Sequence, residues 1–354
     1  MWICSCRSRS RLRSGRGGRS VPAMQVLMLE RSFQRLERAL RSEVPSLQPL
    51  LMRDDGSLWL NGERCAAEAA APLAAWANSE VYDGGPTRDF MVFCLKSPSL
   101  KFIQSSAAGF DHPVFGMLVD KGIALANSDA SAIAIAEFVM ASVLDLWNDP
   151  AQRRRAQADC RWEMHRFREL HGTHWLVIGM GSIGSEVALR ARAFGAKVSG
   201  VRRTPTGSEP ADCMLTPAAL HEAIPQADVV VLSAPATPQT QHLVNADFLR
   251  AMRPRSVLIN VARGALVDEA ALLQALERGV PEYAVLDVFA QEPLPAQSPL
   301  WSHPRVRVSG HTAAASDGFL RRSDRLFLDN LARFARGETP HRLVPPEVVK
   351  QTPH

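Results

Sequence analysis

The sequence lacks the features that define several classes of protein. Its six cysteines form no C-x-x-C pair, and none lies beside a histidine cluster of the zinc-binding type. We therefore expect reduced, unpaired thiols and predict no metal site. No long apolar run is free of charge, because the longest, Ser131–Trp147, contains Glu137 and Asp145. This run is interpreted as a buried helix and not a membrane span. Together, the cysteine spacing and this run disfavour disulfide-stapled, zinc-binding and membrane-spanning proteins.

Acidic residues are missing from residues 1–23, which contain six arginines. The formal charge of +5 arises there, because the rest of the chain has 35 basic and 36 acidic residues. A segment so rich in Ser, Arg and Gly cannot bury a core and is predicted to be a disordered basic extension. Three interpretations stay open: an extension without function, a transit peptide for organellar import, or an RNA-binding arm. For the near-neutral remainder we expect a cytoplasmic location and no nucleic-acid or membrane partner.

The remaining chain alternates apolar runs with amphipathic stretches, as parallel α/β sheets do, and is long enough for two domains. In the first part we predict strands at Val26–Leu29, Leu58–Leu60, Phe90–Phe93 and Leu100–Gln104, with helices through Phe33–Leu40 and around Ala66–Trp76. In the second part we predict strands at Leu176–Ile178, Lys197–Val201, Val229–Leu232, Val257–Ile259, Tyr283–Leu286 and Val306–Val308. We also predict a helical connection over Asp149–His171, a returning amphipathic helix over Ser316–Gly337 and an irregular tail over Thr339–His354.

A glycine-rich turn follows the first strand of the second part. The strand leads into Gly179-Met180-Gly181-Ser182-Ile183-Gly184, and a helical stretch and a further strand come next. In this order, G-x-G-x-x-G is typical of a dinucleotide-binding loop. Gly179 permits the tight turn, Gly181 lets the backbone approach a pyrophosphate, and Gly184 allows close packing of helix on strand. The amides of Ser182 and Ile183, at the helix N-terminus, would face the phosphates.

The end of the next strand predicts which dinucleotide is preferred. An acidic residue there would accept hydrogen bonds from a ribose 2′-hydroxyl and favour NAD(H). This strand instead ends at Arg202 and Arg203. Guanidinium groups pair well with a 2′-phosphate, so we predict NADP(H) as the preferred cofactor, with NAD(H) possible.

Three residues of complementary chemistry follow three consecutive strands of the second part. Arg263, Glu292 and His311 should meet at one edge of the sheet, where ligands of parallel sheets bind. A histidine exchanges protons near neutral pH, a carboxylate can orient it and favour its protonated form, and an arginine can hold a substrate carboxylate. The set fits reduction of a 2-oxo acid.

Other residues after these strands complete the predicted cofactor site. Asp287 would accept a hydrogen bond from the nicotinamide edge. The full prediction comprises Gly179, Gly181, Ser182, Ile183, Gly184, Arg202, Arg203, Ala234, Pro235, Thr240, Val261, Arg263, Asp287 and His311.

These motifs, in this order, resemble the D-isomer-specific 2-hydroxyacid dehydrogenases, which include glyoxylate/hydroxypyruvate reductases and 3-phosphoglycerate dehydrogenases. The resemblance implies two Rossmann-like parallel-sheet domains, with the NADP-binding domain (128–315) inserted into a substrate domain built from 24–127 and 316–354. It implies catalytic roles for Arg263, Glu292 and His311. It also implies that Ala108 and Gly109, with Arg263 and His311, bind the substrate, and that the protein is a homodimer joined through the Rossmann unit.

The sequence departs from the family pattern at several positions. Ala107 and Phe110 are bulkier than usual and would narrow the substrate mouth, the turn before the histidine reads Ser309-Gly310, and Arg202 replaces the usual acid. The expected function is reduction of a small 2-oxo acid, glyoxylate or hydroxypyruvate. The alternatives are an NAD-dependent dehydrogenase of the 3-phosphoglycerate type, a cofactor-sensing corepressor on the same fold, and a nucleic-acid binder acting through the basic extension.

Overall fold

Two parallel-rich sheets follow one another along the chain. The structure is a computed structural model that describes residues 23–110 and 112–350, so the basic extension predicted at 1–23 lies, but for its last residue, outside the described residues. The helices in this part are α1 (Glu30–Glu43), α2 (Ser79–Tyr82), α3 (Thr87–Lys96), α4 (Pro113–Asp120), α5 (Ala132–Asn148), α6 (Pro150–Ala158), α7 (Ser182–Ala193), α8 (Leu220–Ala223), α9 (Ala246–Ala251), α10 (Glu269–Glu277), α11 (Asp317–Ala335) and α12 (Pro346–Lys350). None of these helices combines the length and apolarity needed to cross a bilayer.

The first sheet has the order β4-β3-β2-β1-β5-β6-β7. Its strands are β1 (Met24–Leu29), β2 (Leu47–Met52), β3 (Leu58–Leu60), β4 (Glu63–Cys65), β5 (Ala74–Ala77), β6 (Phe102–Ser105) and β7 (Ala124–Ala126). The pairs β2–β3 and β3–β4 are antiparallel and the others are parallel. The carboxyl ends of β6 and β7 therefore lie side by side, which places the segments after Ser105 and Ala126 at one edge.

The second sheet is parallel throughout, with the order β10-β9-β8-β11-β12-β13-β14. Its strands are β8 (His174–Ile178), β9 (Lys197–Val201), β10 (Cys213–Leu215), β11 (Val229–Leu232), β12 (Val257–Asn260), β13 (Tyr283–Leu286) and β14 (Val306–Val308). The central strands β11 and β12 are fully buried and apolar except for Asn260, as expected of parallel strands covered on both faces. All the strands point the same way, so one edge collects every segment that follows a strand.

The chain passes from the first sheet to the second before α5 and returns through α11. The return is fixed by packing: the rings of Trp76 and Phe327 stack with centroids 4.4 Å apart, and Arg35 Nε donates to Asp324 Oδ2 at 2.9 Å. The unit around the first sheet is thus made from both ends of the described chain, with the second sheet inserted between them.

Several local predictions were wrong. The predicted strand at Phe90–Phe93 is part of α3, because a short apolar run fits a buried helix as well as a strand. The predicted helix around Ala66–Trp76 is a single 3₁₀ turn followed by β5, since Pro72 cannot continue a helix. The connection after Asp149 is helical only to Ala158, and the predicted irregular tail contains α12.

Candidate functional site

The glycine-rich loop is shaped for a pyrophosphate. Gly179 has φ +103°, and a Cβ there would lie 2.4 Å from the amide nitrogen of Ala234. A Cβ on Gly184 would lie 2.1 Å from the carbonyl oxygen of Gly179. The position of a Cβ on Gly181 has nothing within 4 Å, so open space faces the loop where α7 begins. Two glycines are required by the fold, and the third leaves room for phosphate oxygens beside the helix N-terminus.

The loop after β9 lies at the same sheet edge as the glycine-rich loop, and a carboxylate, that of Glu209, organises it. Glu209 accepts hydrogen bonds from the amides of Thr206 (2.8 Å) and Gly207 (2.9 Å) and from Arg202 Nη1 (3.0 Å). Hydrogen bonds, that from the Thr206 amide first and those from the Thr206 hydroxyl and Arg202 among the others, lower the pKa of Glu209 to about 2. Only 2% of its side chain is exposed, so its oxygens are already engaged by the loop.

The second acid of this loop is also engaged within the protein. Asp212 accepts from the amide of Val198 at 2.8 Å and pairs with Arg192 at 3.2 Å. The predicted residues Arg202 and Arg203 line a groove of about 450 Å³. Two arginines thus line the groove, whereas Glu209 and Asp212 are not among its lining residues.

The imidazole and the carboxylate predicted to act together are in contact. His311 Nδ1 and Glu292 Oε2 are 2.8 Å apart, and Glu292 Oε1 accepts from the amide of Phe289 at 3.0 Å. The imidazole is half exposed. Glu292 can thus hold the ring through Nδ1 while the ring's other nitrogen serves a ligand.

Asp287 fastens the segment that carries His311. His311 has φ +56°, a conformation that few non-glycine residues adopt, and its amide donates to Asp287 O at 2.8 Å. The carboxylate of Asp287, whose residue is 3% exposed, accepts from Ser309 Oγ (2.7 Å) and from the amides of Thr312 and Ala313. In the structure this carboxylate is thus a support for His311, and the predicted nicotinamide contact of Asp287 stays a prediction.

Arg263 stands on a turn that is closely packed against the next loop. The buried side chain of Asn260 donates to Arg263 O at 2.9 Å and accepts from the amide of Ala262 at 3.0 Å. A Cβ on Gly264 would lie 1.9 Å from the carbonyl carbon of Phe289. Glycine is therefore what allows the Arg263 turn to touch the loop that leads to Glu292.

A cleft between the two sheets brings together predicted residues from both. Its volume is about 270 Å³, and it joins the groove of Arg202 at the segment Ser233–Pro235, which lines both. Predicted residues that line the cleft are Ala108, Gly109, Gly181, Ser182, Ile183, Ala234, Pro235, Val261 and Arg263. Thr240 lines the groove, whereas Asp287, Glu292 and His311 stand on neighbouring loops of the same sheet edge.

The cleft also contains residues that the sequence interpretation missed. Asn127, Asp129 and Ser131 come from the crossing before α5, and Arg342 comes from the segment after α11. The only sequence signal for the first three was their position after a strand, at β7, which was itself not predicted. In the described ranges no group of three His, Cys, Asp or Glu side chains could hold a metal ion.

Known proteins resemble the chain along most of its length. The family model for the NAD-binding domain of D-isomer-specific 2-hydroxyacid dehydrogenases matches residues 140–313. A glyoxylate reductase of Aeropyrum pernix is 33% identical over 270 residues, which cover 72% of this chain and 79% of that protein. A D-3-phosphoglycerate dehydrogenase of Methanocaldococcus jannaschii is 32% identical over 254 residues, and the chain spans about half (48%) of that relative's length.

A solved structure shows the same architecture. The D-isomer-specific 2-hydroxyacid dehydrogenase of Xanthobacter autotrophicus, in complex with NADPH and MES, superposes with a TM-score of 0.72 at 29% identity. The match covers 93% of this chain and 99% of that one. Both sheets, and not only the dinucleotide-binding part, are therefore shared with that protein.

Proposed function

Because the chain belongs to the D-isomer-specific 2-hydroxyacid dehydrogenase family, we propose that it transfers hydride between NADP(H) and a small 2-oxo acid, with glyoxylate or hydroxypyruvate as substrate. The observation that carries the proposal is the 2.8 Å contact between His311 and Glu292, at the sheet edge that also holds Arg263 and the glycine loop. Glyoxylate reductases among the relatives support this substrate class.

The residues divide the chemistry of reduction among themselves. Bound NADPH would supply the hydride to the carbonyl carbon. The proton for the carbonyl oxygen comes from His311 through Nε2, since Nδ1 is held by Glu292. Arg263 and the backbone at Ala108–Gly109 would hold the carboxylate across the cleft. One hydride and one proton convert the 2-oxo acid to the 2-hydroxy acid, and the family resemblance sets the D configuration.

The preference for NADP(H) rests on the loop after β9. A ribose 2′-hydroxyl needs an acceptor, and both carboxylates of this loop, Glu209 and Asp212, already accept hydrogen bonds from the protein. Arg202 and Arg203 offer donors to a 2′-phosphate instead. The NADPH complex of the Xanthobacter protein is consistent with this preference.

Turnover assays test the function directly. The purified protein should oxidise NADPH in the presence of glyoxylate or hydroxypyruvate, with kcat/KM higher for NADPH than for NADH. A higher value for NADH would overturn the cofactor assignment, and turnover confined to NADH and 3-phosphohydroxypyruvate would favour the 3-phosphoglycerate type. Tight NADPH binding without turnover of any 2-oxo acid would favour a cofactor-sensing binding protein.

The domain division and the assembly are also proposals. We assign 24–127 and 316–354 to the substrate domain and 128–315 to the cofactor domain.

In the cofactor domain, Trp162 and Met164 lie after α6 and are 105% and 84% exposed. Apolar side chains this exposed are typical of an interface, so we propose that this segment joins two copies in a homodimer. A monomeric mass in sedimentation equilibrium would overturn this, and Trp162→Ser should weaken the dimer. A cytoplasmic location stays a prediction.

A further inference from the structure

An arginine from the C-terminal segment lines the same cleft as Arg263. Arg342 follows α11 and has φ +59°. Its carbonyl oxygen accepts from the amide of Asn127 at 3.2 Å, and Asn127 Nδ2 donates to Ala108 O at 2.9 Å. The backbone of Arg342 is thus tied, through one side chain, to the loop proposed to hold the substrate carboxylate.

The guanidinium of Arg342 is only partly paired within the protein. Nη1 donates to Asp129 Oδ2 at 2.9 Å, whereas Nε is buried and has no hydrogen-bond partner among the described residues. Buried donors without partners are rare in folded proteins and call for an explanation. Because Arg342 lines the cleft, a ligand oxygen there is the simplest further partner for its guanidinium.

A second buried polar group without a partner lies in the same place. Ser131 is 6% exposed, lines the cleft, and its Oγ has no hydrogen-bond partner in the described part of the chain. It belongs to the turn closed by the hydrogen bond from Ala132 N to Asp129 O (2.9 Å), and Asp129 is the residue that holds Arg342. Arg342, whose Nε has no partner among the described residues, and the Ser131 hydroxyl are linked by one turn, and together they supply donors for an anionic group.

We propose that Arg342 and Ser131 bind a second anionic group of the substrate, so that the preferred 2-oxo acid carries a carboxylate or a phosphate at its far end. This inference rests on the proposed reduction, which leaves Arg263 for the carboxylate next to the reacting carbonyl. It narrows the substrate, because glyoxylate and hydroxypyruvate lack a second anionic group and would be reduced less efficiently than an acid that has one. The cofactor pyrophosphate has the N-terminus of α7 for its own oxygens. Arg342 is linked instead to Ala108, on the substrate side of the cleft.

The test compares acids that differ in the charge of the far end. Rates of NADPH oxidation are measured for oxaloacetate against 2-oxobutyrate and for 3-phosphohydroxypyruvate against hydroxypyruvate, and the two pairs distinguish a carboxylate from a phosphate. We expect kcat/KM at least tenfold higher for the charged member of one pair. Arg342→Gln should reduce that ratio about tenfold, and Arg342→Lys should restore part of it. Ratios within one preparation do not depend on how much of a variant is folded.

Asp129→Asn is the matched control, because it removes the ion pair and keeps the arginine. The inference predicts that this variant retains the preference for the charged acid. It is overturned if Asp129→Asn loses the preference as Arg342→Gln does, which would make the pair a structural clasp. It is equally overturned if Arg342→Gln raises the KM of NADPH alike with every acid, or if the wild type reduces glyoxylate without any preference for charge. No turnover of any 2-oxo acid would instead contradict the proposed function.

Discussion

The two ends of the cofactor groove lie on one edge of the same parallel sheet, yet they are built differently. At the catalytic end, the residues that follow β12, β13 and β14 are held by buried groups: Asn260 beneath Arg263 and Asp287 beneath His311. At the nucleotide end, Arg202 is 43% exposed, and one carboxylate orients it, that of Glu209. Glu209 belongs to the same loop and also holds that loop's backbone. Several buried contacts fix the residues at the catalytic end, whereas a single contact orients the arginine at the nucleotide end.

The difference follows from what each end must do. Proton transfer requires distances held within a few tenths of an ångström, so buried supports are needed there. Binding a 2′-phosphate requires only that charged donors be within reach, and an exposed loop provides them. Changes at the catalytic end should therefore lower kcat, and changes at the nucleotide end should lower the affinity for NADPH with little effect on kcat.

The largest effect is expected for His311→Ala. It removes the proton donor while Arg263 and the cofactor loop remain, so kcat for glyoxylate should fall by about 10² or more, or about 2.7 kcal/mol in activation free energy. His341→Asn is the control, because that half-exposed side chain pairs with Asp329 outside the catalytic edge. A His311→Ala variant with near-normal kcat would remove the imidazole from the mechanism.

Gly264→Ala tests whether contact between neighbouring loops fixes the catalytic end. The added methyl group would lie 1.9 Å from the backbone of Phe289, so the turn of Arg263 and the loop of Glu292 must separate. We expect a loss of about 1–3 kcal/mol in unfolding free energy and about tenfold in kcat/KM. Gly310→Ala is the matched control beside His311, because its Cβ has nothing within 4 Å. Equal melting temperatures and rates for the two variants would contradict the packing argument.

The catalytic end could be predicted from the sequence because of how parallel sheets are made. The strands β11 to β14 are short and mostly apolar, and Arg263, Glu292 and His311 follow three of them within a few residues. Alternation and the direction of the strands were enough to place them on one edge. The buried support from Asp287 was not predicted, since its hydrogen bonds depend on the left-handed turn at His311.

The substrate side could not be predicted in the same way. Arg342 and Asp129 are 213 positions apart and meet only because α11 returns the chain to the first sheet. Within that sheet, β5 consists of three alanines and Trp76 close to Pro72, and β2, β4 and β7 lack a clear alternation, so local patterns gave no register. Contacts between distant segments set this side of the cleft, and a single sequence does not encode them locally.

At the nucleotide end, Arg202→Ala should act on one cofactor only. Loss of a hydrogen-bonded charge pair with the 2′-phosphate should weaken NADPH binding by about ten- to a hundredfold, while NADH, which lacks that phosphate, should bind almost as before. Fluorescence titration of both cofactors measures the two dissociation constants. Arg250→Ala, an exposed arginine on α9, is the control. Equal weakening of NADH and NADPH would show that Arg202 supports the loop rather than the phosphate, and would make the two ends of the groove more alike than proposed.

The smallest effect is expected for Glu209→Gln, which loosens the hold on Arg202 without removing the arginine. NADPH affinity should fall about threefold. Adding Arg202→Ala to this variant should lower the affinity less than Arg202→Ala lowers it in the wild type, because both changes act through one contact.

The pKa of Glu209, about 2, is below the ordinary value of 4.5. Its stabilisation of the loop is therefore fully present above that ordinary value and is lost only as pH falls through about 2. The ratio of wild-type to Glu209→Gln affinity should therefore stay constant from about pH 5 to 8. A ratio that changes across this range, or fully additive losses in the double variant, would mean that the exposed loop positions Arg202 by some contact other than this carboxylate.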